Sequence, residues 1–177
     1  MPQLRLTAKI AKELKVNELT IPSITTTLYD DWYLDVSRIL RKKVFIFVHI
    51  RKKIAFAIPS YEIGGTQNLL ECFPLLVREL FDKLDYEKIS MEAYNFFNVP
   101  PTEISFTKTD DKSTLRYVSD FKHILEFNAL KKNNINQVLC DSTSTNWLNH
   151  LTKDPMNSKD YTTPLRLIQN LFGKNDN

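Results

Sequence analysis

The sequence predicts an α+β fold in one domain: a mainly antiparallel sheet with a central hairpin over about 44–58, packed by several helices. Three observations carry this. An apolar run from Val44 to Ile50, which includes His49, is flanked by basic clusters. A second apolar run, Ile54 to Ile58, follows at once. Elsewhere apolar residues recur at helical spacing. At 177 residues, 42% hydrophobic and 25% charged, the chain is long enough for a real core and ordinary for a globular protein.

Taken in order, Gln3 to Leu6 reads as a short strand. Thr7 is placed to cap a helix from about Ala8 to Lys15, with Ile10, Ala11 and Leu14 on one face. Residues 16–30, with Pro22 and a Ser/Thr cluster, read as loop. From Trp32 to Arg41 the stripe Trp32, Val36, Ile39, Leu40 predicts a helix capped by Asp31; the alternative sets Trp32 and Tyr33 on a strand. Val44, Ile46, Val48 and Ile50 then face one way and Phe45, Phe47 and His49 the other, as in a central strand covered on both sides. Ile54–Ile58 is the second arm of the hairpin. The turn near Arg51–Lys53 lacks the Asn-Gly or Gly signal of a tight hairpin.

Gly64 and Gly65 interrupt the chain, and Thr66 is placed to cap a helix over Leu69 and Leu70. Pro74 predicts a kink there, or a new helix over Leu75–Leu84. A further helix covers Glu87–Phe97 and ends before Pro100-Pro101. Glu103–Thr107 reads as a strand. Asp110-Asp111 forms a turn and cap, and a long helix follows from Ser113 to Leu130. Asn146–Leu151 suggests a short helix, and Thr163-Pro164 starts another. The domain is expected over 1–172, with a frayed tail over 173–177.

Composition limits the function. Three glycines leave little for a phosphate-cradling loop, and no GxGxxG, Walker-type loop or GxSxG occurs. No segment approaches about 18 consecutive apolar residues, and the start lacks a signal-peptide core, so a cytoplasmic protein without a membrane span is expected. Two cysteines, Cys72 and Cys140, imply no disulfide framework. The net charge of +3 is unevenly spread. Residues 1–60 carry 11 basic and 5 acidic side chains, and residues 61–177 carry 13 and 16.

The seven basic residues Arg38, Arg41, Lys42, Lys43, Arg51, Lys52 and Lys53 occur with no acidic residue between them. Such a cluster attracts phosphate or an acidic protein, and it is the expected binding surface. Interleaved with Phe45, Phe47, Tyr29 and Tyr33 it resembles a stacking platform, although core packing explains the two phenylalanines better. Catalytic candidates are sparse. Asp30, Asp31 and Asp35 are a carboxylate group of the kind that holds a divalent cation. Asp120 and His123 share a helical face with Glu126, and Ser113 opens that helix. His49, His123 and His150 lie in no zinc motif, so no metal and no cofactor is expected.

Three stretches, LRLTAKIAKELK, DDWYLDVSRILRKKVFIFVHIRKKIAFAI and TKTDDKSTLRYVSDFKHIL, together with the ending from Asp154-Pro155 through Tyr161 and Pro164, resemble an uncharacterised family of small bacterial domains. In the third stretch the family tends to Asn-Arg-Ser, a small-residue segment and Asn-Asp. This chain has Asp111-Lys112-Ser113, then Leu115, Arg116, Ser119 and Asp120. The resemblance implies a single α+β domain and no particular activity. It associates the chain with accessory genes of bacteria and mobile elements, in defence or toxin–antitoxin contexts. The expected function is a non-catalytic interaction or regulatory module that binds an acidic protein or nucleic acid. The alternative is a small nuclease-like or transferase-like enzyme acting on nucleic acid or nucleotides.

Overall fold

Leu4 and Leu6 alternate with Gln3 and Arg5 along the first strand, β1 (Gln3–Leu6), so one face feeds an apolar core and the other carries buried polar side chains. The computed structural model describes residues 1–132 apart from 25, 26, 28, 52 and 85, together with 152–153 and 161–162. After β1 come α1 (Ala8–Glu13), β2 (Trp32–Ile39), β3 (Lys42–His49) and β4 (Ala55–Pro59). Two short 3-10 turns lead to α2 (Leu69–Asp82) and α3 (Glu87–Phe97), followed by β5 (Ser105–Lys108) and α4 (Lys112–Lys132). Thr152–Lys153 (β6) and Tyr161–Thr162 (β7) pair antiparallel with each other.

The five-stranded sheet has the order β4-β3-β2-β1-β5. The α+β class holds, but the sheet is mixed. β2, β3 and β4 form an antiparallel meander, while β1 runs parallel to both β2 and β5. Helices cover both faces. Ile10 and Ala11 of α1, Phe73, Val77 and Phe81 of α2, and Ala93 and Phe97 of α3 pack with Leu4, Trp32, Leu34, Phe45 and Phe47. On the other face Tyr117, Val118, Phe121, Leu125 and Ala129 of α4 pack on Tyr33, Val44, Ile46 and Val48. The two-way division of β3 is therefore the one its alternation predicts.

The helix expected over Trp32–Arg41 is a strand, and the middle one of the sheet. Trp32, Leu34 and Val36 face the α1–α3 core, whereas Tyr33 and Ile39 face α4. Asp31 is not a helix cap; it sits at φ +77 just before the strand. The next two residues that break the pattern, Leu40 and Arg41, make the two-residue turn to β3, with φ of +46 and +64. Positive φ at both central positions is the geometry Asn-Gly normally supplies, so this turn carries strain.

Pro74 does not divide its helix. α2 runs unbroken from Leu69 to Asp82. Pro74 is the sixth residue, so it forfeits one hydrogen bond, to Leu70, while Leu69, Phe73, Val77, Leu80 and Phe81 are buried along the helix. Thr7 stands at the start of α1 without capping it, because its hydroxyl donates to Asp35 Oδ1 at 2.6 Å instead. The segments 146–151 and 163–177 assigned from sequence lie outside the described residues. Among the described residues no helix is long and apolar enough to cross a membrane.

Candidate functional site

Strand β3 separates the predicted basic cluster into two groups. Arg38, Arg41, Lys42 and Lys43 gather at the β2–β3 turn. Arg51 and Lys53 lie beyond the other end of β3, roughly 24 Å away for an extended strand of that length. Lys52 lies outside the described residues. The sequence run is therefore not one surface.

At the first end the structure adds cations that sequence proximity did not reveal. α1 buries Ile10 and Ala11, which turns Lys9, Lys12 and Glu13 outward. These three meet Val36, Ser37 and Arg38 of β2 and Lys43 of β3 around a groove of about 660 Å3. Lys9, Lys12, Arg38 and Lys43 face a single lining carboxylate, Glu13. Glu13 Oε2 accepts from Lys43 Nζ at 2.6 Å, and Thr66 Oγ1 lies 3.4 Å from the same ammonium. The Lys43 hydrogen bond holds the Glu13 carboxyl below its ordinary range, despite some opposing desolvation. Lys42 Nζ stands 4.9 Å from the centre of the Tyr61 ring, and Tyr61 is half exposed. The signal for Lys9 and Lys12 was the short amphipathic α1, whose outward face is basic.

At the second end lies a buried polar network. Arg5 makes a bidentate pair with Asp31, Nε to Oδ1 at 2.6 Å and Nη2 to Oδ2 at 2.8 Å, and its Nη1 donates to Asp110. Gln3 Nε2 donates to Asp31 Oδ1 at 3.0 Å. The Tyr33 hydroxyl accepts the backbone N–H groups of Asp110 and Asp111 at 3.2 and 2.8 Å. Asp111 caps α4, accepting Ser113 N–H at 2.9 Å and the Thr114 hydroxyl. Lys53, at φ +52, donates to Thr114 Oγ1 at 2.5 Å, and its carbonyl accepts Tyr117 OH at 2.6 Å. Burial pulls its ammonium below the ordinary lysine value, against the attraction of Asp111 at 3.7 Å. Lys53 is thus a structural residue that fixes the β3–β4 turn to α4.

Asp30 is buried beside this network, with Oδ1 accepting Gln3 N–H at 3.0 Å. Burial raises its carboxyl from 3.8 to about 6, and the Gln3 bond opposes that only in part. A carboxyl raised on folding contributes stability below its unfolded pKa and loses it as pH climbs through the folded value. Asp30→Asn keeps an acceptor for Gln3 without the charge. Relative to the native chain it should therefore gain on the order of 2 kcal/mol between about pH 4 and about pH 8. Urea midpoints at the two pH values test this; an unchanged difference between variant and native chain would refute it.

The catalytic candidates do not converge. Asp30 and Asp31 are committed to Gln3 and Arg5, and Asp35 accepts from Thr7. Ser113 and Asp120 are exposed on α4. His123 is 71% exposed and faces Glu126 at 3.7 Å. Among the described residues no hydrogen bond or ion pair joins these two groups, and no cluster of three or more His, Cys, Asp or Glu is arranged to hold a metal. Phe45, Phe47 and Tyr33 are fully buried, so none of them offers a stacking face. Cys72 is a half-buried free thiol, and Cys140 lies outside the described residues.

A mixed five-stranded sheet between three helices and one, with a basic groove at one end and a closed charge network at the other, defines a small α+β domain. The chain belongs to the family described as Domain of unknown function (DUF6933), which matches residues 3–167. Among curated proteins none matches the chain.

Proposed function

We propose that this domain is a non-catalytic interaction module, acting in the cytoplasm, whose basic groove binds the phosphate backbone of a nucleic acid. The observation that carries the reading is the convergence of Lys9, Lys12, Arg38 and Lys43, from three separate segments, on one groove of about 660 Å3. Surface cations in such a concave arrangement reinforce one another's field. A positively charged groove of this kind tracks the backbone of a single strand with little dependence on its sequence. The bacterial or mobile-element setting of the family resemblance fits such a module.

The test is fluorescence anisotropy with a labelled single-stranded oligothymidylate of about 16 nucleotides. Four phosphate contacts predict a loss of about 50-fold in affinity between roughly 50 mM and 200 mM salt. Changing Lys9 and Lys12 together to Gln should reduce the log–log salt slope by about 1.4. Affinity indifferent to salt or to those two lysines would dismiss the reading. Displacement by poly-glutamate as readily as by unlabelled oligonucleotide would instead assign the groove to an acidic protein.

A further inference from the structure

The groove's lining carboxylate is already bonded to one of its cations. Glu13 Oε2 lies 2.6 Å from Lys43 Nζ and 3.5 Å from Thr66 Oγ1. An ammonium and a hydroxyl converging on one anionic oxygen are also the donors a phosphate oxygen takes. Glu13 lines a second groove as well, of about 430 Å3, with Leu14, Lys15, Thr66, Gln67 and Leu70. Its carboxylate therefore stands where the two grooves meet. It is the last residue of α1, and its side chain is 36% exposed. An ion pair so open to water is weak, and a side chain at a helix end swings aside without disturbing the core.

We infer that Glu13 is an internal stand-in for the ligand: an autoinhibitory carboxylate that a phosphate group displaces from Lys43 and Thr66, joining the two grooves into one channel. This rests on the reading that the groove binds nucleic acid. It gives the site a threshold. A single phosphate exchanges one anion for another at Lys43 with little gain, whereas a strand that also engages Lys9, Lys12 and Arg38 gains from every further phosphate. The ligand class is thus a polyanion long enough to span α1 and the β2–β3 turn, and not a mononucleotide.

The experiment compares the native chain with Glu13→Gln, Lys43→Met, the double variant, and Asp120→Asn. The last removes the same charge from α4, on the opposite face of the sheet. The probe is the same labelled oligothymidylate at about 50 mM salt. Glu13→Gln should bind about 5-fold tighter, a gain absent from Asp120→Asn and lost when Lys43 is Met. All the substituted side chains are at least partly exposed, and unchanged urea midpoints confirm the fold. Equal or weaker binding by Glu13→Gln overturns the inference and leaves the groove's function standing. So does a gain that survives Lys43→Met or is matched by Asp120→Asn. If the native chain and Glu13→Gln both fail to bind, the functional reading falls and takes the inference with it.

Discussion

Replacing Phe47 with alanine is expected to destabilise the domain by about 3–5 kcal/mol. Phe47 is fully buried on the α1–α3 side of β3. Its ring stacks on Phe56 of the neighbouring strand, with centroids 4.5 Å apart, and on Phe73 of α2 at 5.3 Å. Phe73 in turn meets Phe97 of α3 edge-on at 4.9 Å, and Trp32 meets both Phe56 and Phe73. Truncation therefore removes the ring that ties β3 to β4 and α2 at once. The cavity would lie between a sheet and a helix, neither of which closes over it without shifting the rest of this aromatic cluster. The urea midpoint reads the effect; a midpoint that barely moved would show that the cluster repacks around the gap.

Arg5→Met is expected to cost about 3–5 kcal/mol for a different reason. Methionine preserves much of the apolar stem, so little packing is lost. What is lost is the counter-charge of Asp31, whose side chain is 5% exposed and whose oxygens take two of the guanidinium's donors. Asp110 is 58% exposed and regains water, so the loss concentrates on Asp31. The double variant Arg5→Met/Asp31→Asn should recover a large part of the stability, because the uncompensated charge is gone and Asn tolerates the positive φ at that position. Denaturation curves of the three proteins settle the point. A single variant as stable as the native chain would mean that Asp31 finds water or another donor.

These two residues also mark what was legible in the sequence. The Phe47 environment was readable, because β3 is apolar on both faces and its alternation divides into two cores. α3 matched its predicted span, Glu87–Phe97, because Pro100-Pro101 punctuates its end. β2 was not readable as the middle strand. Trp32, Val36, Ile39 and Leu40 satisfy a helical stripe as well as a strand, and the turn that follows uses Leu40-Arg41 where Asn-Gly would have announced it. The β3–β4 turn was hidden for a similar reason. Lys53 takes the left-handed position because Thr114, Asp111 and Tyr117 hold it there, a tertiary constraint with no local signature.

The same limit applies to the groove. Arg38 and Lys43 stood out as part of a dense run, but a run of charge in sequence is not a patch when an extended strand lies between its parts. Lys9 and Lys12 were unremarkable until α1 packed beside β2 and β3. The Arg5–Asp31–Asp110 network combines residues from β1, from the entry to β2 and from the start of α4. No short-range pattern connects them, and Asp31 alone had suggested a cap or a metal ligand.

The position of β1 has a consequence for how the protein is made. Leu4 lies across from Trp32 on one side and from Phe106 on the other. The second neighbour of β1 is thus made about a hundred residues after it, on the order of 5–20 s later at ordinary synthesis rates. Until then β1 has an open parallel edge, with Gln3 and Arg5 lacking their partners at β5 and Asp110. The β2–β3–β4 pairings join segments close in sequence, whereas the β1–β5 seam joins segments about a hundred residues apart. Interrupted synthesis leaves that seam open to pairing with another chain, so a lower concentration of nascent chains favours the native pairing.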